Sequence, residues 1–133
     1  MKKGDRSFDI EKLFRALADR TRLRLLNLLG DDEVCVCFLV EILGESQPKI
    51  SRHLAYLRRV GAVAARREGK WMHYRVATPP NVHAARVLSE LRGCLAEDKG
   101  MQRERARLEK VFCAPELPVQ LRSAPRPASY LSA

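Results

Sequence analysis

The chain of 133 residues lacks the features that mark secreted and membrane proteins. Residues 1–9 are polar and charged, without the apolar segment of a secretory signal. No stretch approaches the roughly 18 uninterrupted apolar residues that a bilayer-spanning helix needs. The four cysteines are too few and too unevenly spaced to suggest a disulfide framework. We therefore expect a cytoplasmic protein with reduced thiols, no membrane association and one compact domain plus a tail.

Motifs of the common enzyme classes are missing as well. The sequence has no Gly-rich phosphate loop, no metal motif with two histidines on one helix turn and no nucleophile elbow. Its cysteines do not form the Cys-x-x-Cys motif of thiol reductases. We predict that the chain is not an enzyme and that it uses no organic cofactor.

What the chain does have is a strong positive charge. Lys and Arg total 25 against 16 for Asp and Glu, which gives a formal net charge of +9. Taken alone, such an excess suits either a nucleic acid or an acidic membrane as the polyanionic partner, and of the two we expect the nucleic acid. A basic soluble domain without such a partner would have the same composition.

Apolar residues recur at helical spacing along most of the chain, and the period changes once. The pattern predicts helices over 10–18, 19–30, 38–44, 46–61 and 82–95. Alternating residues at 63–67 and 71–76, joined by Glu68-Gly69, predict a β-hairpin. The fold class is therefore mainly α with a small β-hairpin.

The fourth predicted helix has the properties of a helix that reads the DNA major groove. It follows a short helix and a tight turn at Gly44, and its first residues are polar. Amide, guanidinium, ammonium and hydroxyl groups can contact base edges or phosphates. The candidate contacts on this helix are Ser46, Gln47, Lys49, Ser51, Arg52 and His53. The hairpin adds Arg66, Arg67 and Lys70, which suit phosphate or minor-groove contact, although a charged exposed turn has the same composition.

Three segments, in the same order, resemble the ArsR/SmtB family of bacterial metal-responsive repressors. They are ALADRTRLRLL at 16–26 for the opening signature, SQPKISRHL at 46–54 for the recognition helix and EGKWMHYRV at 68–76 for the wing. The resemblance runs from about residue 10 to residue 95. It implies a winged helix-turn-helix of five or six helices plus a β-wing, assembled as a homodimer. It also implies binding to double-stranded operator DNA with an inverted repeat, and release of that DNA by an inducer.

The resemblance and the composition together divide the chain into three parts. We expect residues 1–97 to form the DNA-binding and dimerisation domain. Residues 98–113 are highly charged with a thin apolar stripe and predict a helical extension. Residues 114–133 are rich in proline and predict a disordered tail.

Two cysteines suggest what the inducer is. The segment EVCVCFL at 33–39 is similar to the Cys-Val-Cys box of arsenic- and antimony-responsive family members, whose thiolates bind the trivalent metalloid. As(III) and Sb(III) are soft and prefer three sulfurs in a pyramid. Cys35 and Cys37 are therefore candidate ligands. Val40 stands where a third nearby cysteine is common, so we assign Cys113 as third ligand, on the ground that a mobile tail could carry it to the site. Cys94, an exogenous thiol or no third ligand remain open.

On an ideal helix, residues two apart point roughly 200° away from each other. We therefore expect a metalloid bound by Cys35 and Cys37 to distort the first turn of the third helix. The alternatives are a redox-sensing repressor that uses these thiols, an inducer-independent DNA-binding protein, and thiols that are merely small apolar core residues. Zinc sensing is disfavoured because the last core helix offers His83 without a second histidine.

Overall fold

A computed structural model describes residues 8–131. The predicted domain and tail also include 1–7 and 132–133, which lie outside the described residues. Within the described range the chain forms six α-helices and three strands. They are α1 (Ile10–Leu17), α2 (Arg20–Leu29), β1 (Val34–Cys35), α3 (Val36–Leu43), α4 (Gln47–Arg59), β2 (Val63–Glu68), β3 (Trp71–Val76), α5 (Val82–Glu97) and α6 (Lys99–Cys113). None of these helices has the length and apolar character needed to cross a bilayer.

Short polar side chains and a glycine place the starts of α2 and α4 and the end of α3 where the sequence predicted them. Asp19 caps α2, because its carboxylate accepts the backbone N–H of Arg22 at 3.0 Å. Gly44 ends α3 in the left-handed conformation with φ +67°. Ser46 then caps α4, its Oγ accepting the Lys49 N–H at 3.3 Å. The tight turn between α3 and α4 follows directly from these two residues.

The helix-turn-helix consists of α3 and α4, and the wing (residues 63–76) consists of β2 and β3. This architecture confirms the predicted fold class. The sheet has one strand more than predicted, because β1 joins the wing in the antiparallel order β1-β3-β2. Val34 pairs with Tyr74 and Cys35 with His73. The core beneath these elements is mainly leucine, with Leu25, Leu29, Leu39, Leu54 and Leu57 all fully buried.

Helix α6 packs against α2 and α3 and supplies partners to α2. Arg105 Nη1 donates to the carbonyls of Asn27 and Leu28, each at 3.0 Å. Arg92 of α5 donates to the Gly30 carbonyl at 2.7 Å. In the other direction, the Asn27 amide donates to the Met101 carbonyl at 2.9 Å. The C-terminal carbonyls of α2 thus find hydrogen bonds on helices that are distant in sequence.

The segment after α6 differs from the disorder that its proline content predicted. Residues 114–131 cross the outside of α3 and include two short 3-10 turns, Val119–Leu121 and Ala128–Tyr130. Leu121 is buried, and Gln120 Nε2 donates to Glu41 Oε1 of α3 at 2.9 Å. The centre of the Tyr130 ring lies 4.9 Å from the centre of the Phe112 ring. These contacts are non-local, so composition alone does not reveal them.

Candidate DNA-binding face and thiol site

The first turns of α4 present polar side chains on the side away from the core. Ile50, Leu54 and Leu57 are buried, and they orient the helix so that Gln47 and Arg52 are exposed. Ser46, Lys49 and Ser51 lie on the same turns as these two residues. Ser46 is exposed, Ser51 is half-buried, and Lys49 Nζ lies 3.0 Å from Glu45 Oε2 in a surface ion pair. The exposed members of this set can reach base edges if the helix enters a major groove.

His53 has different surroundings from the rest of the predicted set. Its side chain is only 18% exposed, and Arg22 Nη1 donates to its Nδ1 at 3.2 Å. The Asp19 carboxylate lies 3.8 Å from the same nitrogen. Burial and the neighbouring cations lower the pKa of His53, although Asp19 acts in the opposite direction. His53 therefore connects α4 to the start of α2 as a neutral imidazole, and the structure does not place it among the exposed groups.

Arg22 is a structural residue that the sequence reasoning missed. Its guanidinium donates to the Ala16 carbonyl at 2.6 Å and the Arg15 carbonyl at 3.0 Å, and it lies 4.2 Å from the centre of the Tyr56 ring. It thereby joins α1, α2 and α4. Although burial opposes ionisation of Asp19, the Arg22 backbone N–H and cationic side chain lower its pKa. The only signal in the sequence was the position of this arginine within the opening segment at 16–26.

The three basic residues predicted on the wing are exposed, but they differ in their partners. Arg67 and Lys70 lie at the tip, where Lys70 Nζ is 5.0 Å from the centre of the Trp71 ring. Arg66 instead forms a two-pronged ion pair with Glu33, with Nε 3.0 Å from Oε1 and Nη2 2.7 Å from the same oxygen. This hydrogen bond with Arg66 lowers the pKa of Glu33. Arg67 and Lys70 are therefore the accessible cations of the wing tip.

Cys35 and Cys37, the thiol pair, meet at the junction of β1 and α3. Their Sγ atoms are 3.1 Å apart. The expected opposition of the two side chains is wrong, because only Cys37 lies within α3, which begins at Val36. Cys35 is the residue before the helix and has extended backbone, with φ −67° and ψ +138°. The two sulfurs therefore converge without any distortion of the first helical turn.

The pKa values of the two thiols are shifted in opposite directions. The hydrogen bond between the two sulfurs lowers the pKa of Cys35, and the backbone N–H of Cys37 contributes in the same direction. The pKa of Cys37 is raised by the same hydrogen bond and by burial. Cys35 is fully buried and Cys37 half-buried. The pair thus favours one thiolate, the form that binds soft ions.

The structure does not bring Cys113 to the thiol pair. Cys113 is the last residue of α6 and is exposed, so it does not lie on a mobile tail as the assignment assumed. Among residues 8–131, no group of three His, Cys, Asp or Glu side chains is arranged to hold a metal ion. His83 lies exposed near the start of α5, whereas His73 is buried in β3.

Comparisons with known proteins agree with this arrangement. Residues 19–64, which span α2 to the start of β2, match the family model described as bacterial regulatory protein, arsR family. The arsenical resistance operon repressor of Escherichia coli is 47% identical over 87 residues, which cover 65% of this chain and 74% of that protein. An arsenic resistance transcriptional regulator of Pseudomonas putida, ArsR1, is 51% identical over 65 residues, which cover 48% of this chain and only 51% of that protein.

A solved structure extends the similarity to the fold. It is the homodimeric winged helix-turn-helix DNA-binding domain of a Mycobacterium bovis protein, determined by NMR. The two folds agree with a TM-score of 0.55 at 30% identity, over 68% of this chain and 81% of that one. The family's role in regulation also confirms the prediction that the chain is not an enzyme. On these grounds the chain belongs to the arsR family of bacterial regulatory proteins, and it is a DNA-binding transcription regulator.

Proposed function

We propose that this protein is a homodimeric repressor that releases operator DNA when trivalent arsenic or antimony binds Cys35 and Cys37. The observation that supports it best is the 3.1 Å separation of the two sulfurs at the junction of β1 and α3, where the helix-turn-helix begins. The similarity to an arsenical resistance repressor supports the same inducer. In this proposal residues 1–97 form the DNA-binding and dimerisation domain, and residues 98–131 pack against it.

DNA binding depends on α4 and on the tip of the wing. We propose that Gln47 and Arg52 read base edges, with Ser46, Lys49 and Ser51 beside them. Arg67 and Lys70 contact phosphates or the minor groove. An inverted repeat in the operator matches a two-fold dimer, because each protomer then presents one α4 to one half-site.

Dimerisation has support from exposed apolar side chains. Ile10 and Phe14 on α1 are 47% and 52% exposed, and Val82 on α5 is 55% exposed. Exposed apolar side chains of this size favour contact with another protein surface. A related M. bovis domain is a homodimer. We propose that α1 and α5 form the dimer interface.

The thiol pair suits a trivalent metalloid in chemistry and in spacing. Bonds from sulfur to a soft ion of roughly 2.3 Å, meeting near a right angle, place two sulfurs about 3.3 Å apart. The observed separation is close to this value. Because Cys113 lies apart from the pair, we propose that a small exogenous thiol supplies the third sulfur.

A fluorescence anisotropy titration of a promoter duplex tests the proposal. Arsenite and antimonite should each release the DNA, whereas zinc and cadmium should not. Cys35→Ser/Cys37→Ser should bind the duplex normally and ignore arsenite, while Cys94→Ser serves as the matched control because Cys94 is also a free thiol. Retained release in Cys113→Ser supports an exogenous third ligand. DNA binding that arsenite never alters would refute the proposed inducer.

A redox-sensing repressor is the second candidate, because the same sulfurs are close enough to be oxidised with little movement. Peroxide would convert the two thiols into one disulfide, with two electrons and two protons passing to peroxide to form water. Release of DNA by peroxide but not by arsenite would favour this second candidate over the first.

A further inference from the structure

The thiol pair is connected to the wing as well as to the helix-turn-helix. Cys35 pairs with His73 across β1 and β3, and His73 pairs with Arg66 across β3 and β2. Directly paired residues in a sheet point to the same face. Cys35, His73 and Arg66 therefore form one row that crosses all three strands.

Two carboxylates extend this row on the same face of the sheet. Glu33 lies two positions before Cys35, and Glu68 lies two positions after Arg66. The Glu33 carboxylate accepts hydrogen bonds from two nitrogens of Arg66, at 2.7 to 3.1 Å. His73 Nε2 donates to Glu68 Oε1 at 2.9 Å. Such charge-assisted and two-pronged contacts fix relative position as well as adding attraction.

We propose that Glu33 and His73 are positioning residues through which occupancy of the thiol pair sets the position of the wing. This inference rests on the proposed role of the thiol pair as the inducer site. Cys35 belongs to β1, so any shift of its backbone is carried to β3 by strand pairing and to β2 by the Glu33–Arg66 ion pair. The tip residues Arg67 and Lys70 then move relative to α4, so the wing tip and α4 can no longer contact the same DNA duplex at the same time.

The protein contains a natural probe for this movement. Its single tryptophan, Trp71, is the first residue of β3 and lies at the wing tip beneath Lys70. A change in the position of the wing alters the exposure of this ring and therefore its emission. The thiol pair and the probe belong to different elements, so the emission reports coupling between them.

The test uses phenylarsine oxide, whose arsenic forms two bonds to sulfur while its oxygen leaves as water with the two thiol protons. A Cys94→Ser/Cys113→Ser background restricts the reaction to the thiol pair, and intact mass counts the adducts. Glu33→Gln removes the charge of the carboxylate with little change in shape. Glu41→Gln is the matched control, since Glu41 lies on α3 and pairs with Gln120 of the C-terminal segment, whereas Glu33 pairs with Arg66 of the wing.

All three proteins should take up one phenylarsine oxide. In the background protein and in Glu41→Gln we expect a clear change in Trp71 emission and about a tenfold weakening of DNA binding. In Glu33→Gln the emission change should shrink, and the weakening should fall to about threefold or less. An equal response in Glu33→Gln and Glu41→Gln, at equal adduct formation, overturns the coupling.

Two further outcomes separate this inference from the proposed function. If the adduct forms and Trp71 emission changes in a Glu33-dependent way while DNA stays bound, the coupling holds and the proposed release is wrong. If no adduct bridges the thiol pair, both are wrong.

Discussion

Phe112 connects the C-terminal helix to the helix that begins at the thiol site, and its removal should destabilise the whole protein. The side chain is 2% exposed. Its ring meets the fully buried Phe38 edge to face, with 5.0 Å between the ring centres, and it meets Tyr130 on the other side at 4.9 Å. Phe112→Ala therefore leaves a cavity between α3, α6 and the segment that follows α6.

The expected loss can be worked from this environment. Truncation of a buried phenylalanine to alanine costs about 3 to 5 kcal/mol in the free energy of unfolding. Tyr130 is half-buried and its ring lies against Phe112, so it can move into part of the cavity. We expect about 3 kcal/mol, which for a chain of this size corresponds to a decrease of roughly 12 °C in Tm.

Urea unfolding followed by circular dichroism, at one fixed protein concentration, measures this loss. Val119→Ala is the control, because Val119 lies in the same C-terminal region and is 73% exposed. The control should stay within about 0.5 kcal/mol of the wild type. A Phe112→Ala loss below about 1 kcal/mol would refute the packing of α6 on α3.

Three further predictions concern a helix cap, a glycine and a DNA contact. Asp19→Ala should lose about 1 kcal/mol of unfolding free energy at neutral pH. Because the folded pKa of Asp19 is lowered, the electrostatic part of this difference should be fully present well above pH 3.8 and should be lost as the pH falls from there through the lower folded pKa, in urea titrations at several pH values. Gly30→Ala should lose roughly 1 to 3 kcal/mol of unfolding free energy in the same assay, because Gly30 has φ +54° and an added Cβ would overlap the Arg105 guanidinium. Gly93→Ala is the control, since a Cβ there meets nothing within 4 Å, and this change should be neutral or stabilising. Arg52→Ala should weaken operator binding by about 1 to 3 kcal/mol in anisotropy titrations and weaken binding to a scrambled duplex less, and equal losses would identify a phosphate contact instead.

Local signals were sufficient for most of the fold. Each helix cap, at Asp19 and at Ser46, and the turn at Gly44 involve only residues three or four positions apart. The helix-turn-helix was therefore predictable from local sequence. Strand β1 was not, because its two residues become a strand only by pairing with β3. The error at the thiol pair has a related cause, because Cys35 belongs to β1 and lies before the helix rather than within it.

Partners distant in sequence decided what could not be predicted. His53 has the residue type of a DNA contact, but its ring lies against Arg22 and Asp19, 31 and 34 positions earlier. Arg66 has the charge of a wing contact, but Glu33 is 33 positions away and holds it. The segment after α6 has the composition of a disordered tail, but it contacts α3. In each case the residue type alone suggested one role, and the contact that decides otherwise is with a residue too distant in sequence to be predicted.

The hydrogen bonds at the end of α2 also bear on how the chain folds as it is synthesised. The carbonyls of Asn27 and Leu28 receive their donor from Arg105, 78 and 77 positions later, and that of Gly30 receives its donor from Arg92. Contacts of such long range form late, because a long loop must close first. A nascent chain from which α3 and α4 have emerged, but not α6, therefore has its whole helix-turn-helix while the end of α2 still lacks its hydrogen bonds from Arg105. Operator binding should begin only after the C-terminal helix has left the ribosome.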